Sequence, residues 1–129
     1  MGLEISPGIN KHVAIWHTGT GVVMFDQNSL IPIDDDIKNY WEDWRAEYIQ
    51  PVINVAMIGK FTSSFDDKRK EYHLHIATGA NTTLDTELVF SLIKRRWSLI
   101  DRTSSNRLLC SFPVADTLGN RYLYGCDES

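Results

Sequence analysis

The chain has 129 residues, of which 43% are apolar, 11% aromatic and 23% charged, and 13 basic against 17 acidic side chains give a formal net charge of −4. That length supports one ordinary hydrophobic core, the apolar share is too high for a disordered chain, and a pI of about 5.5 argues against nucleic-acid binding by phosphate neutralisation. No segment reaches the roughly 20 apolar residues of a membrane span, the start lacks the basic and apolar stretches of a signal peptide, and the two cysteines, Cys110 and Cys126, are too few for a disulfide framework.

Taken in chain order, His12 to Trp16 and Val22 to Phe25 are short β-prone runs on either side of the turn-rich Thr18 to Gly21, which predicts a hairpin. Leu30 to Ile33 follows as an extended piece that Pro32 confines to an edge or a strand end. Asp34, Asp35 and Asp36 are helix-start residues, and Ile37, Tyr40, Trp41, Trp44 and Tyr48 recur at helical spacing. One amphipathic helix is therefore expected near residues 35–50, closed by Pro51. Its stripe either packs on a sheet or offers Trp41, Trp44 and Tyr48 to a partner. The β-branched run from Val52 to Ile58 predicts a strand, and Phe61 to Phe65 a weaker one.

Beyond the charged loop Asp66 to Lys70, Glu71 to Ile76 alternates cleanly, with Tyr72, Leu74 and Ile76 on one face and Glu71, His73 and His75 on the other. Leu88 to Ile93 and Trp97 to Ile100 flank the basic turn Lys94 to Arg96. Arg107 to Val114 and Arg121 to Tyr124 supply the last strands. Short strands with frequent turns favour a mainly β, single domain over residues 1–129.

A weak repeat runs through these elements. Val13-Ala14-Ile15 and Val55-Ala56-Met57 each lead to a Phe-Asp pair, Phe25-Asp26 and Phe65-Asp66, and a third aspartate-led turn starts at Asp116. A period of about 40 to 45 residues is that of four-stranded propeller blades, so about three blades of a partial propeller are expected. An incomplete set leaves strand edges open. The expectation is a fragment of a longer chain or sheets completed by self-association.

No catalytic set emerges, so no enzyme is expected. His-x-His on a strand places two imidazoles for a metal, with Glu71 as a third ligand beside His73 and His75; a solvated polar face accounts for the same residues. Gly59-Lys60 lacks the hydroxyl residue of a phosphate loop, since Phe61 follows. No cofactor is expected.

The stretches Gly21 to Asp26, Leu30 to Ile33 and Ile37 to Trp41 together resemble a blade of the β-propeller proteins of bacteriophage tails and necks. There, a Phe-Asp turn and an Ile-x-Pro-Ile piece lead into a short helix ending in Tyr-Trp. Tyr72 to Ile76, Thr86 to Phe90 and Arg96 to Asp101 are similar to the following blade, and Gly119 to Gly125 with Asp127 to the start of the one after. The resemblance spans residues 12–129. It implies a structural virion component at the tail or head–tail junction, without shared catalytic residues, in which Trp41, Trp44 and Trp97 pack blades. Its implied partners are other virion proteins or further copies of itself, with neither nucleic acid nor membrane involved. The location is the virion, or otherwise the cytoplasm. The alternative is a carbohydrate- or peptide-binding β module, because Trp and Tyr suit sugar stacking and open edges accept strands; a small metal-dependent enzyme stands behind both.

Overall fold

Aspartate side chains set where several strands end. In the computed structural model, which describes residues 2–6, 9–41, 53–102 and 108–127, Asp26 Oδ1 accepts the N–H groups of Asn28 and Ser29 at 3.0 and 2.9 Å. Asp66 Oδ1 does the same for Lys68 and Arg69 at 3.0 and 3.2 Å, and Asp116 Oδ1 for Leu118 and Asn120 at 2.9 Å each. Such side-chain-to-backbone bonds stand in for a missing strand partner and fold the chain back.

The result is mainly β. Strands β1 (Gly2–Ser6) and β2 (Ile9–His12) form an antiparallel pair. Strands β3 (Ala14–His17), β4 (Val22–Phe25) and β5 (Leu30–Pro32) form a three-stranded antiparallel meander. A 3-10 turn, Asp35–Ile37, runs into the short helix α1 (Lys38–Trp41). A second 3-10 helix, Val55–Lys60, precedes a four-stranded meander of β6 (Thr62–Asp66), β7 (Glu71–Ile76), β8 (Thr86–Ser91) and β9 (Arg96–Asp101). Strands β10 (Leu108–Ala115) and β11 (Arg121–Asp127) close as a hairpin. No described helix is long and apolar enough to cross a membrane.

The central strands β7 and β8 of the four-stranded sheet are buried on both faces, whereas the edge strand β9 is largely exposed. Tyr72, Leu74, Ile76, Leu88 and Phe90 share one hydrophobic core with Ile15, Val22 and Met24 of the first meander, with Val13 just before it, and with Ile37 and Trp41. Each such side chain contributes about 1.5–3 kcal/mol when fully buried. Trp97 joins the two sheets: its Nε1 donates to the carbonyl of Ile33 at 2.5 Å, and its ring lies 5.1 Å from that of Phe90. Gly21 is required by a close approach, because a Cβ there would stand 2.0 Å from Asp34 Oδ2, the carboxylate that accepts the Val22 N–H at 3.3 Å.

Three expectations are corrected. The strand expected over Val52 to Ile58 is not found in its described part, Val52 lying outside the described residues: from Val55 the chain is 3-10 helix, because Asn54 caps the turn through Ala56 N–H at 3.1 Å, and Ile53 makes an isolated β-bridge to Thr78. The matched triplets therefore do not correspond, since Ala14 and Ile15 lie in a strand while Val55 to Met57 lie in that helix. The Phe-Asp pairs do not correspond either: Asp26 turns β4 into β5, whereas Asp66 turns β6 into β7. Asp66 and Asp116 do occupy like places, each between the first two strands of a meander or hairpin. The expected helix is described only to Trp41, and Trp44 and Tyr48 lie outside the described residues. Trp41 itself is 7% exposed and tilts against Phe61 with ring centres 6.3 Å apart, which places it in the core rather than on a surface open to a partner.

Candidate functional site

The second face of the four-stranded sheet carries the polar chemistry. Antiparallel register sets Asp66 opposite Glu71, Ser64 opposite His73, and His75 opposite both Thr62 and Glu87. Paired residues share a face, so these side chains form one polar layer. The β10–β11 hairpin lies over it. His73 is 7% exposed, and His75 and Glu87 are 2% exposed each. The face expected to be solvated is thus buried, and the cause is distant in sequence: Ser111 on β10 hydrogen-bonds with His75 Nε2 at 2.8 Å and with Ser64 Oγ.

Glu87 anchors the layer. Its Oε1 lies 2.6 Å from His73 Nδ1, and its Oε2 accepts from Arg102 Nε and Nη2 at 3.0 and 2.7 Å. Burial pushes the Glu87 carboxyl up, but the hydrogen bonds from His73 and Arg102, with the charges of His75 and Arg102, outweigh it and hold the group at about 2. His75 shifts down, chiefly because burial disfavours its charged form; the Glu87 charge opposes this, and His73 and Arg102 add to it. An open cleft of about 550 Å³ runs along the seam between sheet and hairpin, lined by Asp66, His73, Glu87, Arg102, Arg121 and Tyr122 among others. At its mouth Arg121 pairs with Asp67, and Lys68 Nζ lies 5.9 Å from the Tyr122 ring centre.

The three metal-ligand candidates do not act as one set. Glu71 and His73 come together, with Glu71 Oε2 3.3 Å from His73 Nε2, while His75 turns to Ser111. Asp66 takes the third place: one ligand atom each from Asp66, Glu71 and His73 lies within 4.8 Å of the others. His17 is half-buried against Phe61, ring centres 5.9 Å apart, and burial lowers its pKa. Sequence reasoning missed Glu87, Arg102 and Ser111, and treated Asp66 only as a turn residue. One signal was available: Glu87 directly adjoins the apolar run Leu88-Val89-Phe90 in one strand, and buried acids are seldom found without partners.

The chain matches no protein-family model, no curated protein and no solved structure. The reading of its function rests on its own geometry.

Proposed function

We propose that the chain is a non-enzymatic assembly module built of propeller-type blades, a structural part of a bacteriophage tail or head–tail junction. Meanders that begin at Ala14 and Thr62 and a hairpin that begins at Leu108 support a blade series, since four-stranded antiparallel sheets are the unit of propellers.

The observation that carries the reading is the outer face of the last hairpin. Phe112, Val114, Tyr122 and Tyr124 are 42%, 38%, 46% and 53% exposed, and the pairings Phe112 with Tyr124 and Val114 with Tyr122 put all four on one side. Inside the molecule, faces of this kind are covered by the neighbouring sheet. The occupant of this one is a sheet from a second copy of the chain, continuing the same stacking. Exposed aromatic clusters on a β surface mark such contacts.

Sedimentation velocity tests it: the chain should associate as concentration rises, and Tyr124→Lys should remain monomeric. A chain that stays monomeric up to its solubility limit removes self-association. The virion role is tested separately by the gene neighbourhood, where portal, capsid and tail genes are expected. A second reading, a carbohydrate- or peptide-binding module, is favoured by the same exposed aromatic face of Phe112, Tyr122 and Tyr124; a glycan array without a ligand would set its carbohydrate form aside.

A further inference from the structure

The observation that matters most here is an orphaned atom. His73 commits Nδ1 to Glu87, while Nε2 is buried without a hydrogen-bond partner among the described residues. With Nδ1 held by Glu87, Nε2 is the ring atom left to meet a ligand. Buried polar atoms rarely go unmatched, and this one lies 3.3 Å from Glu71 Oε2, in a group that also includes Asp66.

We propose that Asp66, Glu71 and His73 bind one divalent transition-metal ion of the Zn²⁺ type. Two ligands each ~2.1 Å from one ion, at angles between square and tetrahedral, stand ~3.0–3.4 Å apart. The 3.3 Å from Glu71 Oε2 to His73 Nε2 is therefore the spacing of neighbouring ligands. An ion lying off the line between them also accounts for a close pair that makes no hydrogen bond. Asp66 holds the turn with Oδ1, and one of its carboxylate oxygens lies within 4.8 Å of the other two ligand atoms.

The support behind these ligands is of the kind metal sites use. Arg102 clamps Glu87, Glu87 fixes the His73 ring, and a histidine held this way by a carboxylate is oriented and made more basic for its metal. Asp66 and Glu71 are directly opposed across β6 and β7, and His73 lies two residues on along the same face, so rigid strands position all three. One imidazole with two carboxylates suits Zn²⁺ better than Ca²⁺, which takes oxygen ligands. The adjoining cleft leaves room for water at the remaining positions. The site needs no reaction and stands independently of the assembly reading.

Isothermal titration of the tag-free full chain with ZnCl₂, and separately with CaCl₂, tests the site. One Zn²⁺ per chain is expected, with Ca²⁺ binding at least tenfold weaker. Replacing His73 disturbs the Glu87 network and confounds binding with folding, so Glu71→Gln, on the better exposed ligand, carries the test. Its fold is checked by circular dichroism, and at least a tenfold loss of Zn²⁺ affinity is expected. Zn²⁺ binding should persist in a Cys110→Ser, Cys126→Ser chain, which removes capture by thiols. Absence of Zn²⁺ binding, affinity unchanged in Glu71→Gln, Ca²⁺ bound as tightly as Zn²⁺, or loss of binding with the cysteines would each overturn the assignment.

Discussion

Glu87 links two strands and a following arginine, and its carboxylate stays ionised in a place where a lone charge would not. Removing one partner of a buried ion pair leaves the other uncompensated, at a cost of about 3–5 kcal/mol. Glu87→Gln keeps the size and part of the hydrogen bonding, so a loss of about 3 kcal/mol in urea denaturation at neutral pH is expected. The pH dependence has a definite sign. The folded-state pKa of about 2 lies below the ordinary 4.5, so the unfolded chain binds a proton first as pH falls. The Glu87 contribution is therefore complete above about pH 5 and lost between there and about pH 2. The variant's stability should change less across that window than that of the parent chain; parallel curves would contradict the role given to Glu87. The alternation that buries Tyr72, Leu74 and Ile76 was legible in the sequence, because period two is a local property. The fate of His73 and His75 was not, because it is decided by Ser111 and Glu87, which only register and the last hairpin bring near.

At the scale of elements, the segment after Ile53 shows composition losing to a cap. Val55 and Ile58 favour a strand, yet Val55 is 59% exposed and Met57 alone of the 3-10 helix is buried. Asn54 decides the outcome: its Oδ1 accepts from Ala56, its backbone N–H donates to the Ala77 carbonyl at 2.8 Å, and its Nδ2 donates to the Asn81 carbonyl at 2.8 Å. Asn54→Ala should lower stability by about 1–2 kcal/mol, the usual cost of a lost cap with a further hydrogen bond removed. Asn54→Asp, which retains the acceptor and loses the donor, should cost less. Equal urea midpoints for Asn54→Ala and the parent chain would show that local sequence alone makes the turn. The hairpin of β3 and β4 was readable because glycines and β-prone runs agree there, and Gly19 does take a positive φ of 86°. The run from Val52 was misread because its cap is one residue among apolar neighbours.

On the scale of the whole molecule, the four-stranded sheet has two unlike faces, and they should fail under different conditions. Its contact with the first meander is apolar, through Leu74, Leu88 and Phe90. Its contact with the last hairpin is polar, through His75 with Ser111, Ser64 with Ser111, and Asp67 with Arg121. Acid acts on the second and leaves the first alone. Burial holds the His75 pKa below 6.5, so below that value protons favour any state in which the ring reaches water. The Asp67 pKa is lowered, first by its hydrogen bond from Lys70, against the opposing effect of burial, and then by the charges of Lys70 and Arg121. Its contribution is present above the ordinary carboxylate range and fades as pH falls through the depressed folded value. Both shifts have the same sign, and both residues lie at the hairpin seam. Hydrogen exchange followed by mass spectrometry should show residues 108–127 losing protection on acidification before β7 and β8 do, since regions held by few apolar contacts open first. If the hairpin and the sheet lose protection together at every pH, the seam is no weaker than the apolar core, and the polar layer serves a purpose other than a separable joint.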